Sequence, residues 1–526
     1  MNKSSILTII ILTCAIQLHA QSGLRPRGDV NCDWEVNIAD VNALVDNIVK
    51  GTSYHALYTY AHDVNGDQEI SISDINMVID AILGKQLPPM PSYSGTLPVL
   101  FINTDGYQNI VSRDEYIYAF WWLDNMGLEG YESIGSPEEP QTMQIKGRGN
   151  ATWTMHDKKP FRLKLINALP ILGMPPSKHW VLISAVDYWI GQYNDALPFE
   201  IGRRMGMSWN PGQIPIEVVL NGQYIGLYHL TEKIRVDKNR VNVIKQKDNE
   251  TDATKVTGGW LLEIDNYYEP EQIAFIEGNG WVFWATPHSP EKLSNVQRTY
   301  MTDFLMQADS AIYCEDKSST EWERYIDIDS LAVFYIIQEI MDNIESFHGS
   351  CYFHKEHGDN TKLIFGPLWD FGSSFSRYSS TYEFNHFIYD EAPSNLHLRW
   401  IAEIAKFPRF QECVRLHWRQ FYNDVYPQID HFLDEFGDKI EAAGNCDHNR
   451  WPRSECDNIK SRINWSRDYC LKKKIAWLNE QWGVLAVDKA RQADGNYYNL
   501  MGQPMGKQLP TAPGIYIHHG KKIVVK

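Results

Sequence analysis

The stretch Asp29-Val30-Asn31-Cys32-Asp33 decides the fold of the N-terminal part of the chain, and its pattern returns as Asp63-Val64-Asn65-Gly66-Asp67. After each copy, apolar residues recur at the spacing of an amphipathic helix. Gly51 and Gly84 stand just past the ends of these helices, where glycine is favoured. The repeat therefore predicts two copies of one small loop-and-helix motif.

Oxygen-bearing side chains occupy the places at which a loop of about twelve residues binds calcium, which takes roughly six to eight oxygen ligands. In the first loop these residues are Asp29, Asn31, Asp33, Glu35, Asn37 and Asp40. In the second loop they are Asp63, Asn65, Asp67, Glu69, Ser71 and Asp74. Two complete sets in the same register predict two calcium sites, in which Glu35 and Glu69 contribute their backbone carbonyls.

The two loops depart from the EF-hand, because their last ligand is Asp and because Trp34 and Gln68 stand where the EF-hand has glycine. They resemble the F-hand repeats of dockerins, in which Asp at the last position is usual. The resemblance implies a cohesin partner, bound through helix residues that are Ile38-Ala39 and Ile72-Ser73 here. Because these differ from the Ser-Thr pair of cellulosomal dockerins, a cohesin-binding module and a calcium-stapled spacer both stay open.

The N-terminus is typical of an export signal covering residues 1–20. Lys3 precedes an apolar run from Ile6 to Ile16, which is too short to span a bilayer. We expect cleavage after Ala20, with a lipid anchor at Cys14 as the alternative. Since we expect no transmembrane helix further along, the sequence predicts an extracellular or outer-surface protein.

Composition and charge narrow the class of protein. The chain has 526 residues, 43% of them hydrophobic, and a formal net charge of −17. Such a chain can bury several cores, and its negative charge argues against nucleic acid as a partner. We predict a calcium-binding repeat at 25–86, a Pro-rich linker at 87–97, a large domain at 98–483 and a β tail at 492–526.

The large domain starts with strand patterns and continues with helices, which predicts an α+β fold with segregated layers. Thr142–Lys146 and Phe161–Leu165 alternate like strands joined by a Gly-Arg-Gly turn, and Asn221-Gly222 is a hairpin signal. Residues 192–206 predict a helix, with a kink at Pro198.

Asp370-Phe371-Gly372 matches the tripeptide whose Asp holds magnesium in protein kinases. The surrounding motif blocks are Lys146–Trp153, Lys158–Leu165, Tyr224–Tyr228, Gly258–Asp265 and Gly366–Gly372. In this order they resemble the spore coat protein H (CotH) kinase family over roughly residues 98–480. The resemblance implies a divergent, two-lobed protein-kinase-like domain. It also implies that the domain binds ATP and Mg²⁺ and phosphorylates Ser or Thr of surface or secreted proteins.

The resemblance also assigns roles to residues. The implied cofactor-binding residues are Asp370, Lys164, Arg148 and Glu200. Asp370 would bind magnesium, and Lys164 would reach the ATP phosphates, with Lys159 and Arg162 as alternatives. Arg148 lies in a Gly-Arg-Gly-Asn turn whose backbone can approach phosphates, and Glu200 is a candidate partner of Lys164.

The catalytic position departs from the family, which places an Asp where this chain has Glu345. Asp342 is the alternative base. Because a misplacement of about 1 Å can cost on the order of a hundredfold in rate, a catalytically weak pseudokinase acting as a surface adhesin or scaffold is the second interpretation. A carbohydrate-active enzyme is the third, suggested by abundant Trp and by the carboxyl pair Glu263 and Asp265.

The C-terminal segment has short alternating strands with Gly and Pro turns. Gly514-Ile515-Tyr516-Ile517, followed by Lys521–Lys526, resembles the sorting tails of type IX secretion substrates. A terminal β-hairpin without an address function is the alternative.

Overall fold

The computed structural model describes residues 23–186, 190–265, 267–376, 382–390, 400–452, 458–483, 495–499, 504–518 and 521–525. The chain divides into two compact units. The first, called the barrel unit here, comprises Met1–Leu197, Pro211–Ile234 and His431–Trp465. The second, called the helical unit, comprises Pro198–Asn210, Arg235–Asp430 and Ser466–Lys526. The predicted signal peptide and its Cys14 lie outside the described residues.

The calcium repeat forms the helices α1 (Ile38–Val49) and α2 (Ile72–Ile82) of the barrel unit. Both helices begin with a capping box, formed by Asn37 with Asp40 and by Ser71 with Asp74. Each box satisfies amide groups that the first turn of a helix leaves open. The two helices pack around a small core of Val30, Val41, Leu44, Val64 and Val78.

The main part of the barrel unit is a closed seven-stranded β-barrel, with the strand order β1-β2-β3-β4-β5-β7-β6. Its strands are β1 (Val99–Thr104), β2 (Ile117–Asp124), β3 (Gln141–Gly147), β4 (Phe161–Ile171), β5 (Met174–Ile183), β6 (Gln213–Leu220) and β7 (Gln223–Glu232). β1 pairs in parallel with β6 and thereby closes the sheet. The prediction of a two-lobed protein-kinase-like fold is therefore wrong, because a closed barrel does not match it, whereas the mixed α+β content is confirmed. The error arises because alternation predicts strands but does not tell which edges meet.

Side chains at alternating strand positions fill the barrel. Trp121, Leu163 and Trp180 are among its fully buried residues, and Leu57 of the calcium repeat joins the same core. The predicted hairpin at Asn221-Gly222 is confirmed, since both residues have positive φ, as a two-residue hairpin turn requires.

Three helices accompany the barrel. They are α3 (Ala151–Met155), α9 (Ile429–Arg450) and α10 (Ile459–Ser466). α3 lies between β3 and β4, where the sequence predicted only a turn. α9 carries Asp447, whose Oδ1 lies 2.6 Å from the buried Lys158 Nζ. The same carboxylate oxygen accepts a 2.9 Å hydrogen bond from the Leu227 amide, which ties α9 to β7.

The helical unit contains a five-stranded sheet of order β12-β11-β8-β10-β9. The strands are β8 (Trp260–Ile264), β9 (Ile273–Ile276), β10 (Val282–Ser289), β11 (Cys351–Lys355) and β12 (Ile364–Phe365). The helices are α5 (Asn295–Ile312), α6 (Ile328–Ile340), α7 (Ile401–Ile404), α8 (Pro408–Gln420) and α11 (Lys472–Trp482). α6 is buried on nearly every side, which explains why its sequence is apolar all round.

α4 (Ala196–Arg204), most of which belongs to the helical unit, is shorter than predicted. Pro198 stands in its first turn, where its missing amide costs no hydrogen bond, so the expected kink does not form. The C-terminal strands β13 (Tyr497–Asn499), β14 (Pro504–Gly506), β15 (Gly514–His518) and β16 (Lys521–Val525) form one four-stranded sheet.

Candidate functional site

The two calcium loops repeat the same hydrogen bonds. In the first loop Asp29 accepts from the amides of Asp33 and Trp34, both at 3.1 Å. In the second loop Asp63 accepts from Asp67 at 3.0 Å and from Gln68 at 2.9 Å. The equivalence covers bonds that no helix or strand imposes, so the two loops are copies of one three-dimensional motif.

The last carboxylate of each loop reaches back to its beginning. Asp40 Oδ1 accepts from the Val30 amide and Asp74 Oδ1 from the Val64 amide, each at 2.7 Å. At the sixth position of the loops Trp34 has a φ of 70° and Gln68 a φ of 69°. The left-handed turn that the EF-hand makes with glycine is therefore kept without glycine.

Burial of the loop carboxylates fits a divalent cation. Asp29, Asp40, Asp63 and Asp74 are at most 1% exposed. Burial raises the pKa of Asp29; Arg25 opposes the shift, whereas Asp40 and Asp33 add to it. Concentrating carboxylates away from water is unfavourable unless a positive charge compensates them. Calcium would supply that charge and complete the fold of both loops.

The helices of the repeat expose aliphatic side chains at matching places. The exposed residues that occupy equivalent places in the two copies are Ile38, Val45 and Val49 on α1 and Ile72, Ile79 and Leu83 on and just after α2. Ile38 is 65% exposed and its counterpart Ile72 is 68% exposed. These six residues, called the aliphatic face below, are not part of the small core of the repeat.

In the helical unit, three carboxylates act electrostatically on the Tyr267 hydroxyl. Burial raises the pKa of Tyr267, and the neighbouring carboxylates raise it further. The three carboxylates belong to Glu345, Asp265 and Asp370. Oxygen ligands of this kind suit Mg²⁺, which proteins usually hold through one or two carboxylates together with waters and substrate phosphates. Glu345 and Asp370 are exposed, as such a role requires.

Asn343 joins the predicted catalytic block to the magnesium tripeptide through its side chain and its backbone. Asn343 Nδ2 donates a 3.2 Å hydrogen bond to the Asp370 carbonyl, and Asn343 pairs with Ser374 in an isolated β-bridge. Asp342 and Asp370 have φ values of 45° and 61°. Non-glycine residues in this conformation persist only where the surroundings enforce it, which is common at functional sites.

Asp342, the alternative base, is completely buried. Lys474 Nζ lies 3.1 Å from Asp342 Oδ1 and 3.1 Å from Glu339 Oε2. The same ammonium donates a 2.7 Å hydrogen bond to the His386 carbonyl. This position fits a residue that orients Asn343 better than it fits one that meets a substrate hydroxyl.

A basic strip lies on the outer face of β3 and β4. Lys146 stands directly opposite Arg162, and Lys164 follows two residues later on the same side. Lys146 Nζ and Lys164 Nζ lie 5.0 Å and 5.7 Å from the centre of the Tyr116 ring. Burial lowers the pKa of Lys146, and Arg162 lowers it further. Like charges directly across a pair of strands are unfavourable, so the strip suits an anion.

Two other predicted cofactor residues occupy different surroundings. Arg148 is half-buried, and its amide donates to the Pro160 carbonyl at 3.2 Å. Glu200 accepts hydrogen bonds from Arg203 Nη2 at 2.9 Å and Arg204 Nε at 2.6 Å on its own helix. These hydrogen bonds lower the pKa of Glu200, although burial, the largest influence on it, acts in the opposite direction. Its pairing with Lys164 stays a prediction.

The carboxyl pair of the third interpretation is differently placed. Glu263 is 9% exposed, and its Oε2 lies 2.6 Å from His288 Nε2. Asp265 follows the end of β8, and its Oδ1 accepts a 3.1 Å hydrogen bond from the Tyr267 amide.

Comparison with protein families shows to which family the chain belongs. The CotH kinase protein family matches residues 145–475, which is more than half of the chain. The protein belongs to this family of kinase-like proteins. Residues 27–84 match the dockerin type I domain. This is therefore a CotH-family protein with an N-terminal dockerin, and dockerin type I domains bind calcium, pair with cohesins and indicate an extracellular or cell-surface location.

Two further results complete these comparisons. No curated protein sequence matches the chain. Within the described ranges, no helix combines the length and the apolar character needed to cross a membrane.

Several residues of the candidate sites were not predicted as members from the sequence. Tyr267, Asn343, Lys474 and Tyr116 are the main ones. Asn343 stands in the same block as Glu345, and that neighbourhood was a usable signal. Nothing near Lys474 or Tyr116 in the sequence indicates their partners.

Proposed function

We propose that the protein is a magnesium- and ATP-dependent kinase that phosphorylates Ser or Thr hydroxyls of surface or secreted proteins. The observation that carries the proposal is the 3.2 Å hydrogen bond from Asn343 Nδ2 to the Asp370 carbonyl, which joins the predicted catalytic block to the magnesium tripeptide. The carboxylates of Asp265, Glu345 and Asp370, which all raise the pKa of Tyr267, support it. Bound ATP supplies the transferable phosphoryl group, and Mg²⁺ neutralises its charge. Asp370, supported by Asn343, and Asp265 would hold the metal ion.

Glu345 is the residue we assign to the acceptor hydroxyl. It is exposed, whereas Asp342 is buried and paired with Lys474. A carboxylate in this role orients the hydroxyl and accepts its proton. The additional methylene relative to Asp is the reason to expect a modest turnover.

Within the barrel unit, the basic strip is by itself suited to bind a phosphate-bearing anion. Lys164 is exposed, and Arg162 and Lys146 provide further positive charge on the same face. Within the part of the chain that the structure describes, Arg162 Nε is buried and has no hydrogen-bond acceptor. An anion at the strip would satisfy this donor and separate the like charges.

Nucleotide binding by the intact chain tests the proposal. With Mg²⁺ present, calorimetry should detect ATP binding that Asp370→Asn weakens by more than about tenfold, because a charge-assisted contact is worth roughly 1.5–3 kcal/mol. Asp359→Asn, at another exposed carboxylate of the helical unit, is the matched control. Glu345→Gln should retain binding and lose transfer of radiolabelled phosphate to casein. Failure of the unaltered protein to bind ATP would reject the kinase proposal.

We also propose that the aliphatic face is the surface that meets the cohesin. Paired apolar residues that remain exposed on both helices favour a protein partner. A recombinant type I cohesin should bind in calcium and not in chelator, and the double variant Ile38→Asp/Ile72→Asp should lose binding. Asp46→Asn, on an exposed position of α1, is the control. Unchanged binding by the double variant contradicts this assignment.

A further inference from the structure

Outside the sites described so far, three side chains with metal-binding atoms converge in the helical unit. Asp329 Oδ1, Cys413 Sγ and His417 Nε2 all lie within 4.8 Å of one another. The Asp329 oxygen lies 2.9 Å from His417 Nε2 and 3.4 Å from Cys413 Sγ. Among the residues that the structure describes, no other three such side chains come together in this way.

Two packed helices fix the three residues. Cys413 and His417 are separated by one turn on α8, so they lie on the same face of that helix. Asp329 belongs to the first turn of α6, which packs against α8. The cap of α6 is supplied by Asp327, which accepts from the Ser330 amide at 2.8 Å. The Asp329 carboxylate is therefore available for another role.

The distances agree with a tetrahedral ion. Zinc bonds to sulfur, nitrogen and oxygen of about 2.0–2.3 Å place neighbouring ligand atoms about 3.3–3.7 Å apart. Small side-chain rotations convert the observed separations into these values. Thiolate, imidazole and carboxylate together form the borderline-soft donor set that suits Zn²⁺ better than Ca²⁺ or Mg²⁺.

The arrangement does not resemble a nucleophilic triad. In such a triad the imidazole stands between the nucleophile and the carboxylate. Here one carboxylate oxygen contacts both the imidazole and the thiol. An oxygen that lies close to both other groups is what three ligands show when they point at a common centre.

We infer that Asp329, Cys413 and His417 form a Zn²⁺ site. Binding forms bonds from the metal to sulfur, nitrogen and oxygen, and the thiol proton is released to solvent. The Asp329 side chain is 66% exposed and that of His417 18% exposed. The fourth position therefore opens to solvent, where a water molecule or a donor from a partner completes the coordination.

Cobalt absorption in the intact, calcium-saturated protein tests this site. Co²⁺ should give a thiolate charge-transfer band and the visible bands of tetrahedral cobalt at one equivalent per chain, and Zn²⁺ should displace it. Cys413→Ser should abolish the charge-transfer band. Cys32→Ser is the matched control, because Cys32 is the described cysteine inside a calcium loop, and this variant should keep the band.

His417→Gln provides a second measurement that does not depend on sulfur. It should lower the affinity for Zn²⁺ by more than about tenfold, the smallest loss seen even for outer-shell partners. The metal-free unfolding temperature of both site variants should stay close to that of the unaltered protein. No charge-transfer band in the unaltered protein, or a band that survives Cys413→Ser and disappears with Cys32→Ser, overturns the inference.

Discussion

Lys158 of the barrel unit and Lys474 of the helical unit are both buried, and acidic side chains compensate their two ammonium groups differently. In the barrel unit the Lys158 ammonium lies 2.6 Å from the Asp447 carboxylate. In the helical unit Lys474 faces two carboxylates, those of Glu339 and Asp342. The second centre therefore brings two acidic side chains to one ammonium.

The difference separates a structural pair from one that supports a site. Lys158 also donates to the Leu227 carbonyl and joins α9 to the barrel. Lys474 lies next to Asp342, and the following residue, Asn343, supports the Asp370 carbonyl. Burial raises the pKa of Glu339, and Lys474 opposes that shift. The second centre is therefore the one in which loss of the lysine should cost more.

The largest effect should follow Lys474→Met. Removing the ammonium leaves two buried carboxylates without compensation, and breaking a buried pair costs about 3–5 kcal/mol. Hydrogen exchange of the α6 amides should report this loss as a lower opening free energy. Lys473→Met, at the exposed neighbouring residue, should change it by less than about 0.5 kcal/mol. Equal protection in both variants would contradict the proposed role of Lys474.

A smaller effect is expected from Lys158→Met, measured on the barrel strands. The loss should be about 3 kcal/mol, at the lower end of the range, because Asp447 keeps its hydrogen bond from Leu227. Lys178→Met, at an exposed position of β5, is the control. The double variant Lys158→Met/Asp447→Leu should recover most of the loss, because an apolar pair of similar size is often as stable as an ion pair. If the double variant were less stable than the single one, Asp447 would have a role beyond this pair.

The sequence predicts the calcium repeat well and the lysine centres not at all. All ligands of a calcium loop stand within one short segment, so their spacing alone fixes the site. Lys158 and Asp447 are 289 residues apart, and Lys474 and Asp342 are 132 residues apart. A lone Lys or Asp carries no local signal for such a partner.

Closure of the barrel was not predicted for the same reason, because the contacting residues are far apart in the sequence. Alternation predicts strands such as β3 and β4, whereas the parallel contact of β1 with β6 joins residues far apart in the chain, such as Val99 and Glu217. Likewise, Lys164 was predicted from its motif, whereas the position of Lys146 opposite Arg162 depends on strand register. Family resemblance proposes the candidate residues because it carries long-range information that composition and periodicity lack.

Removal of calcium should lower the stability of the barrel unit and leave that of the helical unit unchanged. Leu57, between the two loops, is buried in the barrel core, and Tyr58 next to it hydrogen-bonds the Ile110 carbonyl. Chelation should release this segment and reduce the protection of nearby barrel amides by about 2 kcal/mol, the lower value for removing a leucine from a core. The α6 amides serve as the internal reference and should stay unchanged. Unaltered barrel protection in chelator would show that Leu57 stays in place without the metal.

The smallest effect concerns pH between 7 and 6, where a buried histidine of the barrel unit should begin to reduce stability. Burial, together with a smaller effect of Lys158, lowers the pKa of His229 from 6.5 to about 3. A folded-state pKa below the unfolded value means that the contribution of His229 is complete above pH 6.5. It is lost as the pH falls towards 3, because protons then favour the unfolded chain. From pH 7 to 6 the loss should be about 0.7 kcal/mol.

His229→Phe isolates this contribution, since the imidazole ring already stacks on Phe436 at 6.3 Å and another aromatic ring can occupy the same place. In saturating calcium, the opening free energy of β7 amides should fall less steeply with acid in the variant than in the unaltered protein. Glu339 gives the opposite sign in the helical unit. Its folded pKa is raised, so stability should decrease as the pH rises above the unfolded value of 4.5, and acidification should favour α6. The prediction is contradicted if the opening free energies of the β7 and α6 amides change with pH in the same direction. It is also contradicted if the pH dependence of the β7 amides is the same with and without His229.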